Sequence, residues 1–228
     1  MGSIAENIKT VLDNIKKANV KGQEVTLVAV TKTHPAEMIN EAIDAGVTDI
    51  GENKVQEILE KYDSVKPVRW HLIGHLQTNK VKYIIDKVCM IHSVDSIKLM
   101  DEIERQAKKH GVVMPILIEV NITGEESKFG VKPDEVEAML LHAKDLTNVK
   151  IKGLMTILQK NDGEVANKLH FNNIYNMFID FSKNTYDNAT MVYLSMGMSG
   201  DYETAVSCGS NMVRVGSAIF GARDYTSK

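Results

Sequence analysis

The sequence predicts an α/β protein folded as a single (β/α)8 (TIM) barrel domain over residues 1–228. Three observations support this. Eight short apolar runs alternate along the chain with segments of helical periodicity. The runs are rich in Val, Ile and Leu, as in parallel strands that are buried on both faces. No Gly-x-Gly-x-x-Gly follows the first run, which disfavours the alternative, an open doubly wound sheet.

The elements can be placed in order. An extra N-terminal helix is predicted between Ser3 and Ala18, where apolar residues recur at helical spacing. Three later helices have recognisable starts, at Asp95-Ser96, at Pro133 and at Gly200-Asp201. The strands are predicted at Val25–Thr31, Asp49–Gly51, Trp70–Ile73, Met90–Val94, Ile116–Asn121, Ile151–Met155, Met191–Ser195 and Val213–Gly216.

The composition excludes several classes of function. With 43% hydrophobic and 25% charged residues, the chain has the balance of a soluble globular protein. Its net charge of −3 gives no basic field for nucleic acid, and no apolar run is long enough to span a membrane. Cys89 and Cys208 lie far apart, and the seven histidines form no metal-binding motif. We therefore expect a cytoplasmic protein without a metal site.

Lys32 is the first candidate for chemistry. It follows the first predicted strand, and the carboxyl ends of barrel strands are where functional groups lie. A lysine at such a position can lose its proton through desolvation and form a Schiff base with an aldehyde. The alternative, a side chain that extends along the strand end into water, is favoured by position alone.

Two loops late in the chain predict a phosphate site. Gly197, Ser199 and Gly200 follow the seventh strand, and Gly216 and Ser217 follow the eighth. Barrels often bind phosphate there through backbone N–H groups, although Ser and Gly are also common in ordinary turns. The pair of loops favours phosphate. A Schiff-base lysine beside a phosphate site suits two ligand classes, a sugar-phosphate aldehyde or ketone and pyridoxal 5′-phosphate (PLP).

Three further side chains stand at notable positions. Arg214 lies inside the eighth strand and shares a face with Met212 and Gly216, so it either forms an ion pair within the barrel or faces a ligand ring. Asn53, at the second strand end, either contacts a ligand or caps the next helix. His71, inside the third strand, is expected to be a hydrogen-bonded interior group.

Several segments together resemble the pyridoxal phosphate homeostasis protein family, whose fold is similar to the N-terminal barrel of alanine racemase. These segments are Leu27–Lys32, Gly51–Asn53, His71–Lys80, Gly153–Thr156, Leu194–Ser199 and Val213–Gly221. The resemblance extends from about Val25 to Tyr225. The stretch Asn161–Asn188 is variable, and we expect it to lie away from the ligand.

The resemblance implies that Lys32 holds PLP as a covalent internal aldimine. It also implies that Arg214 faces the pyridine nitrogen, that Asn53 lies near the ring, and that the two late loops surround the phosphate. The expected cofactor-binding residues are Lys32, Asn53, Met198, Ser199, Gly200, Arg214, Gly216 and Ser217.

The expected function is non-catalytic. A guanidinium such as that of Arg214 cannot accept the ring-nitrogen proton, so bound PLP would be a weak electron sink. We expect no second domain after the eighth strand to supply a base, and we assign no catalytic residue. The prediction is a monomeric PLP carrier for vitamin B6 homeostasis that supplies PLP enzymes and thereby affects amino-acid metabolism. The alternatives are a weak amino-acid racemase using Lys32 and a pocket residue such as His75, and a Schiff-base sugar-phosphate lyase.

Overall fold

The protein is a closed barrel of eight parallel strands, described in a computed structural model for residues 2–125, 128–158 and 163–221. The strands are β1 (Thr26–Val30), β2 (Asp49–Glu52), β3 (Arg69–Leu72), β4 (Met90–Val94), β5 (Met114–Glu119), β6 (Val149–Met155), β7 (Ala189–Met198) and β8 (Met212–Val215). The helices are α1 (Ile4–Ala18), α2 (Ala36–Asp44), α3 (Val55–Lys61), α4 (Ile97–His110), α5 (Val136–His142), α6 (Gly163–Ser182), α7 (Tyr202–Ser207) and α8 (Ser217–Phe220).

The predicted barrel is confirmed. β1 pairs in parallel with both β2 and β8, so the sheet closes and an open doubly wound sheet is excluded. Tyr225, where the family resemblance ends, and residues 161–162 of the variable stretch lie outside the described residues. Among the residues that are described, none of the helices has the length and apolarity that crossing a bilayer requires.

Several boundaries differ from the prediction. β7 continues to Met198 rather than ending at Ser195, because Met198 still pairs with Arg214 of β8. β5 begins at Met114 and ends at Glu119, so both of its ends lie two residues earlier in the sequence than predicted. Between β3 and β4 the chain forms a short 3-10 helix, Thr78–Tyr83, in place of an α-helix. Strand pairing across neighbours, which single-strand patterns do not reveal, decides these limits.

The N-terminal helix α1 begins with a capping box. The Ser3 hydroxyl accepts from the Glu6 backbone N–H at 3.3 Å, and the Glu6 carboxylate accepts from the Ser3 backbone N–H at 2.8 Å. Its buried face packs against α7, α8 and α2. The Asn7 side chain also donates to the Ile219 carbonyl at 2.8 Å. This helix therefore supports the two short helices that follow β7 and β8.

On β4, β5 and β8 the barrel interior has an apolar lower layer and a polar upper layer, whereas β2 and β3 carry the buried Asp49 and His71 at the lower end. The lower layer consists of Val28, Met90, Leu117, Met155 and Met212. Side chains two residues further along a strand share its face. His92, Glu119 and Arg214 occupy those positions on β4, β5 and β8, and all three are buried. The polar side chains on these three strands therefore lie toward the carboxyl ends of the strands.

Gly153, at the bulge between β6 and β7, provides a test of the packing. It has φ +145°, and a Cβ built there would lie 1.8 Å from the Tyr193 carbonyl oxygen. We expect Gly153→Ala to lower the free energy of unfolding by about 3 kcal/mol, from backbone strain plus overlap. Gly22→Ala, at φ +74° with nothing within 4 Å, should cost only about 1 kcal/mol from strain. Equal losses in urea titrations of the two variants would contradict this account.

Candidate functional site

The eight predicted cofactor-binding residues lie in or directly after four adjacent strands. Around the closed barrel the order is β7, β8, β1, β2, and each of these strands contributes near its carboxyl end. Met198 ends β7 and Arg214 lies within β8, while the others follow the ends of their strands. The complete set is Lys32, Asn53, Met198, Ser199, Gly200, Arg214, Gly216 and Ser217. The structure therefore gathers residues as distant in the sequence as Lys32 and Ser217 on one arc of the rim.

The loops after β7 and β8 form a cradle for an oxygen atom. The Ser199 hydroxyl oxygen accepts from the backbone N–H of Gly216 at 3.1 Å and from that of Ala218 at 3.3 Å. Two N–H groups thus converge on one oxygen, which is the arrangement a phosphate oxygen requires. At Gly216 a Cβ would meet the Val30 carbonyl oxygen at 3.1 Å, so this backbone lies tightly against β1. Ser217 is exposed at the start of α8. The donor set fits a phosphate group.

Arg214 is a buried cation that faces the barrel interior. Its side chain is on the same face as Met212 of the apolar layer, as alternation predicted. Nη1 donates to the Ser195 hydroxyl at 2.6 Å and Nη2 to the Thr156 carbonyl at 2.9 Å. Burial lowers the pKa of Arg214 to about 10, against the nearby carboxylates of Glu119 and Asp201, so the group stays protonated at neutral pH. Within the described residues it forms no ion pair, so the predicted alternative of an ion-paired arginine does not apply.

A buried ion cluster lies directly behind Lys32. The Lys61 ammonium donates to the Thr31 carbonyl at 3.1 Å, to Glu52 Oε1 at 2.8 Å and to Glu57 Oε2 at 2.9 Å. Burial raises the pKa of Glu52 above its ordinary range, while Lys61 and Thr31 act to lower it. Because Lys61 contacts the carbonyl of the residue before Lys32, the cluster fixes the amino side of that residue.

The same cluster also fixes the carboxyl side of Lys32. Glu57 Oε2 accepts from the Thr33 backbone N–H at 2.7 Å. Thr33 has φ +67°, a strained conformation for a β-branched residue that persists only when its surroundings enforce it. Lys32 is therefore carried by backbone that is held on both sides, and its own side chain is half-buried.

Asn53 lies at the rim beside β3, and it does not cap α3. The N-cap position of that helix is Lys54, and no side chain bonds there. The Asn53 backbone packs on Gly74, where a Cβ would come within 2.4 Å of the Asn53 carbonyl oxygen. Of the two predicted interpretations, the helix cap does not apply, and the contact of Asn53 with a ligand stays a prediction.

The two histidines considered in the sequence differ in role. His71 is buried between Asp49 and His92, with contacts of 2.8 and 2.9 Å, so its prediction as a hydrogen-bonded interior group is confirmed. His75 lies at the rim, where its ring stacks on Phe129 with centroids 3.8 Å apart. Its Nδ1 is 3.3 Å from an Asp95 carboxylate oxygen.

Glu119 is a buried carboxyl that sequence reasoning missed. It ends β5 on the interior face, two residues beyond Leu117, and is 5% exposed. Burial raises its pKa to about 7, the Asp95 charge adds to this, and the Arg214 charge opposes it. The sequence could have indicated Glu119, because it is a charged residue inside an apolar run, as Arg214 is.

The start of α6 lies closer to the cradle than expected. A cavity of about 500 Å³ is lined by Gly163, Glu164 and Asn167 together with residues 199–204. The variable stretch Asn161–Asn188 was expected to lie away from the ligand. Its first described turn shares this cavity with Ser199 and Gly200, because the closed barrel brings α6 beside the loop after β7.

Comparisons with known proteins identify the family. Residues 2–224 match the family model of the alanine racemase N-terminal domain. The chain is 39% identical over 226 residues to the pyridoxal phosphate homeostasis protein of Aquifex aeolicus (strain VF5), covering 96% of this chain and 98% of that protein. The chain belongs to the pyridoxal phosphate homeostasis protein family. Its family resemblance, predicted from the sequence, is thereby confirmed.

Solved structures of family members and of more distant enzymes extend the comparison. PipY of Synechococcus elongatus PCC7942 with PLP bound has a TM-score of 0.85 at 31% identity, covering 96% of this chain and 100% of PipY. Alanine racemase of Clostridium difficile 630 has a TM-score of 0.74 at 16% identity, covering 97% of this chain but only 61% of the racemase. The racemase likeness shows the fold alone.

The ion cluster behind Lys32 predicts a large loss of stability on truncation. Lys61→Met leaves Glu52, whose side chain is 0% exposed, without its cation. We expect the free energy of unfolding to fall by about 3 kcal/mol. Lys66→Met removes the ion pair with Asp44, whose members are 49% and 63% exposed, and should cost less than about 1 kcal/mol. Similar urea midpoints for the two variants would show that the cluster does not stabilise the rim.

Glu119 predicts a pH dependence. Because its pKa is raised from 4.5 to about 7 in the folded state, protonated Glu119 stabilises the fold below pH 4.5, and this contribution is lost as the pH rises through 7. Relative to Glu119→Gln, the wild type should therefore lose on the order of 1–3 kcal/mol between pH 5 and pH 8. Urea unfolding at both pH values measures this. The exposed variant Glu164→Gln should follow the wild type, and a Glu119→Gln curve parallel to both would refute the assignment.

Proposed function

We propose that this family member is a PLP carrier that holds the cofactor as a Schiff base on Lys32 and buffers or supplies it for PLP enzymes in the cytoplasm. The observation that supports the proposal is the pairing of β1 with β8. Lys32 follows β1, while β8 carries Arg214 and is followed by the cradle of convergent N–H groups. The PLP-bound structure of PipY, a relative of nearly identical extent, supports it.

The chain's own residues divide the work of binding. Lys32 would supply the primary amine for a Schiff base with the PLP aldehyde, with release of water. The backbone of Gly200, Gly216 and Ser217 and the Ser199 hydroxyl would hold the phosphate. Met198 and Asn53 would lie beside the ring.

Arg214 makes the carrier function preferable to catalysis. Its guanidinium is protonated and buried, so it can donate to the pyridine nitrogen but cannot protonate it. An unprotonated ring is a weak electron sink. The chain also spans 98% of the homeostasis protein of Aquifex aeolicus, its relative at 39% identity. We propose that the protein acts as a monomeric single-domain carrier whose effects on amino-acid metabolism follow from PLP supply.

A second candidate function is weak racemase-like activity, and Glu119 is the observation that favours it. A carboxyl with a pKa of about 7 on the interior face of the rim strands could give or take a proton at neutral pH. This residue, rather than His75, which is engaged with Phe129 and Asp95, would be the acid–base group.

The proposal is tested by spectroscopy of the purified protein with PLP. We expect one PLP per chain and a visible absorption band that borohydride bleaches, leaving the cofactor attached to Lys32 in a peptide map. Lys32→Ala should lose the band. Lys54→Ala, an exposed lysine next to Asn53 at the same rim, should keep it. A band that persists in Lys32→Ala would refute the Schiff base, and its loss there would exclude a sugar-phosphate lyase as the protein's main role.

Turnover separates the two candidate functions. Racemisation or decarboxylation of amino acids at about 1 s⁻¹ or faster would refute a non-catalytic carrier. If such turnover is found, Glu119→Gln should reduce it by at least about tenfold while leaving the absorption band in place. Turnover far below that rate, in wild type and Glu119→Gln alike, supports the carrier.

A further inference from the structure

A chain of buried hydrogen bonds crosses the barrel interior below Arg214. Asp49 Oδ1 lies 2.8 Å from His71 Nε2, and His71 Nδ1 lies 2.9 Å from His92 Nε2. His92 Nδ1 lies 3.1 Å from the Ser195 hydroxyl, to which Arg214 donates at 2.6 Å. All five side chains are at most 3% exposed. The chain therefore connects the amino end of β2 to the guanidinium at the carboxyl end of β8.

The two ends of the chain are charged and fix its direction. At the lower end, burial acts to raise the pKa of Asp49, but hydrogen bonds from His71, Arg69 and Thr48 outweigh it and lower the pKa to about 2. Asp49 is therefore an acceptor only. Arg214 is a donor only. With one proton on each imidazole ring, every bond between them runs from Arg214 toward Asp49.

This direction assigns one tautomer to each histidine. Burial is the largest cause that lowers the pKa of His92 well below its ordinary value, so this ring is neutral. Its Nδ1 accepts the Ser195 hydrogen, and its single proton is on Nε2. That proton is donated to His71 Nδ1, and His71 Nε2–H is donated to Asp49. Each donor then has one acceptor.

We propose that Asp49, His71 and His92 are positioning residues that orient the Ser195 hydroxyl and thereby hold Arg214 toward the ring nitrogen of PLP. The inference rests on the proposed function for its ligand. With the Ser195 hydrogen directed at His92, the lone pairs of that oxygen face the guanidinium. The bonds to Ser195 and to the Thr156 carbonyl occupy two of the five guanidinium N–H donors and orient the rest.

A cavity adjoins the lower end of the chain, at the opposite end of the barrel from the rim. The cavity, of about 230 Å³, is lined by Asp49, Arg69, His71 and Cys89, among others. Arg69, whose side chain is 62% exposed, donates to Asp49 Oδ2 at 2.6 Å. Cys89 Sγ lies 3.4 Å from His71 Nε2 but is not a link in the chain, which makes it a matched control.

The first measurement needs no cofactor. Long-range ¹H–¹⁵N NMR of the imidazole rings should show the Nε2–H tautomer at both His71 and His92 in the wild type and in Cys89→Ala. Ser195→Ala should alter the His92 nitrogen shifts because Nδ1 loses its donor. An Nδ1–H tautomer at His92 would overturn the proposal.

The second measurement reports on bound PLP. His92→Phe and His71→Phe break the chain, and we expect each to shift the absorption band of the Lys32 Schiff base and weaken PLP retention about tenfold, the effect of losing a charge-assisted hydrogen bond. His92→Asn retains an acceptor near the Nδ1 position and should restore much of the wild-type band. Cys89→Ala should match the wild type.

The outcomes separate this proposal from the proposed function. Wild-type spectra and affinity in both phenylalanine variants would show that the chain is only structural. If the wild type itself forms no Lys32-dependent band, the carrier function is refuted. The tautomers of His71 and His92 then still show whether the hydrogen-bond chain runs in the proposed direction. If a phenylalanine variant does not fold, the Ser195→Ala spectrum together with the NMR tautomers decides it.

Discussion

The pairing of β1 with β8 is the constraint on which the site depends. Val28 lies opposite Arg214 and Ala29 opposite Val215, so the first and last strands are neighbours. Without this closure, Lys32 and the loop at Gly216 would stand at opposite edges of a sheet. With it, the backbone after β8 packs on the Val30 carbonyl, and the cradle lies beside the lysine. A ligand that bridges an amine and a phosphate site needs that adjacency.

The second constraint is that buried charged groups need polar partners. At the described part of the rim, few of these partners are groups of opposite charge. Arg214 is held by a hydroxyl and a carbonyl oxygen, and it is linked through Ser195, His92 and His71 to the carboxylate of Asp49. Behind Lys32 the opposite solution is used, since Lys61 lies directly against Glu52 and Glu57. In the proposed function, a fixed cation at the cofactor ring and a firmly held backbone at the amine would suit a protein that retains a cofactor. They would do little to stabilise a carbanion.

Much of this was predictable because it depends on local pattern. The eight apolar runs, the Ser96 cap of α4 and the interior direction of Arg214 follow from strand alternation and capping chemistry, and the structure confirms them. The extension of β7 to Met198 and the position of the α6 start beside the cradle were not predictable, because both depend on which neighbour a strand or helix packs against. Glu119 was overlooked although it carried the same signal as Arg214.

The sequence by itself determined the fold class, the family and the identity of the eight rim residues, because periodicity, glycine placement and the order of motifs are properties of the linear chain. Only the tertiary structure decided what surrounds them. The hydrogen-bond chain from Asp49 to Arg214, the cluster that holds Lys32 and the raised pKa of Glu119 each join side chains from different strands or helices. Burial and distance between such groups arise only when the barrel closes, and they set the charge and orientation on which binding depends.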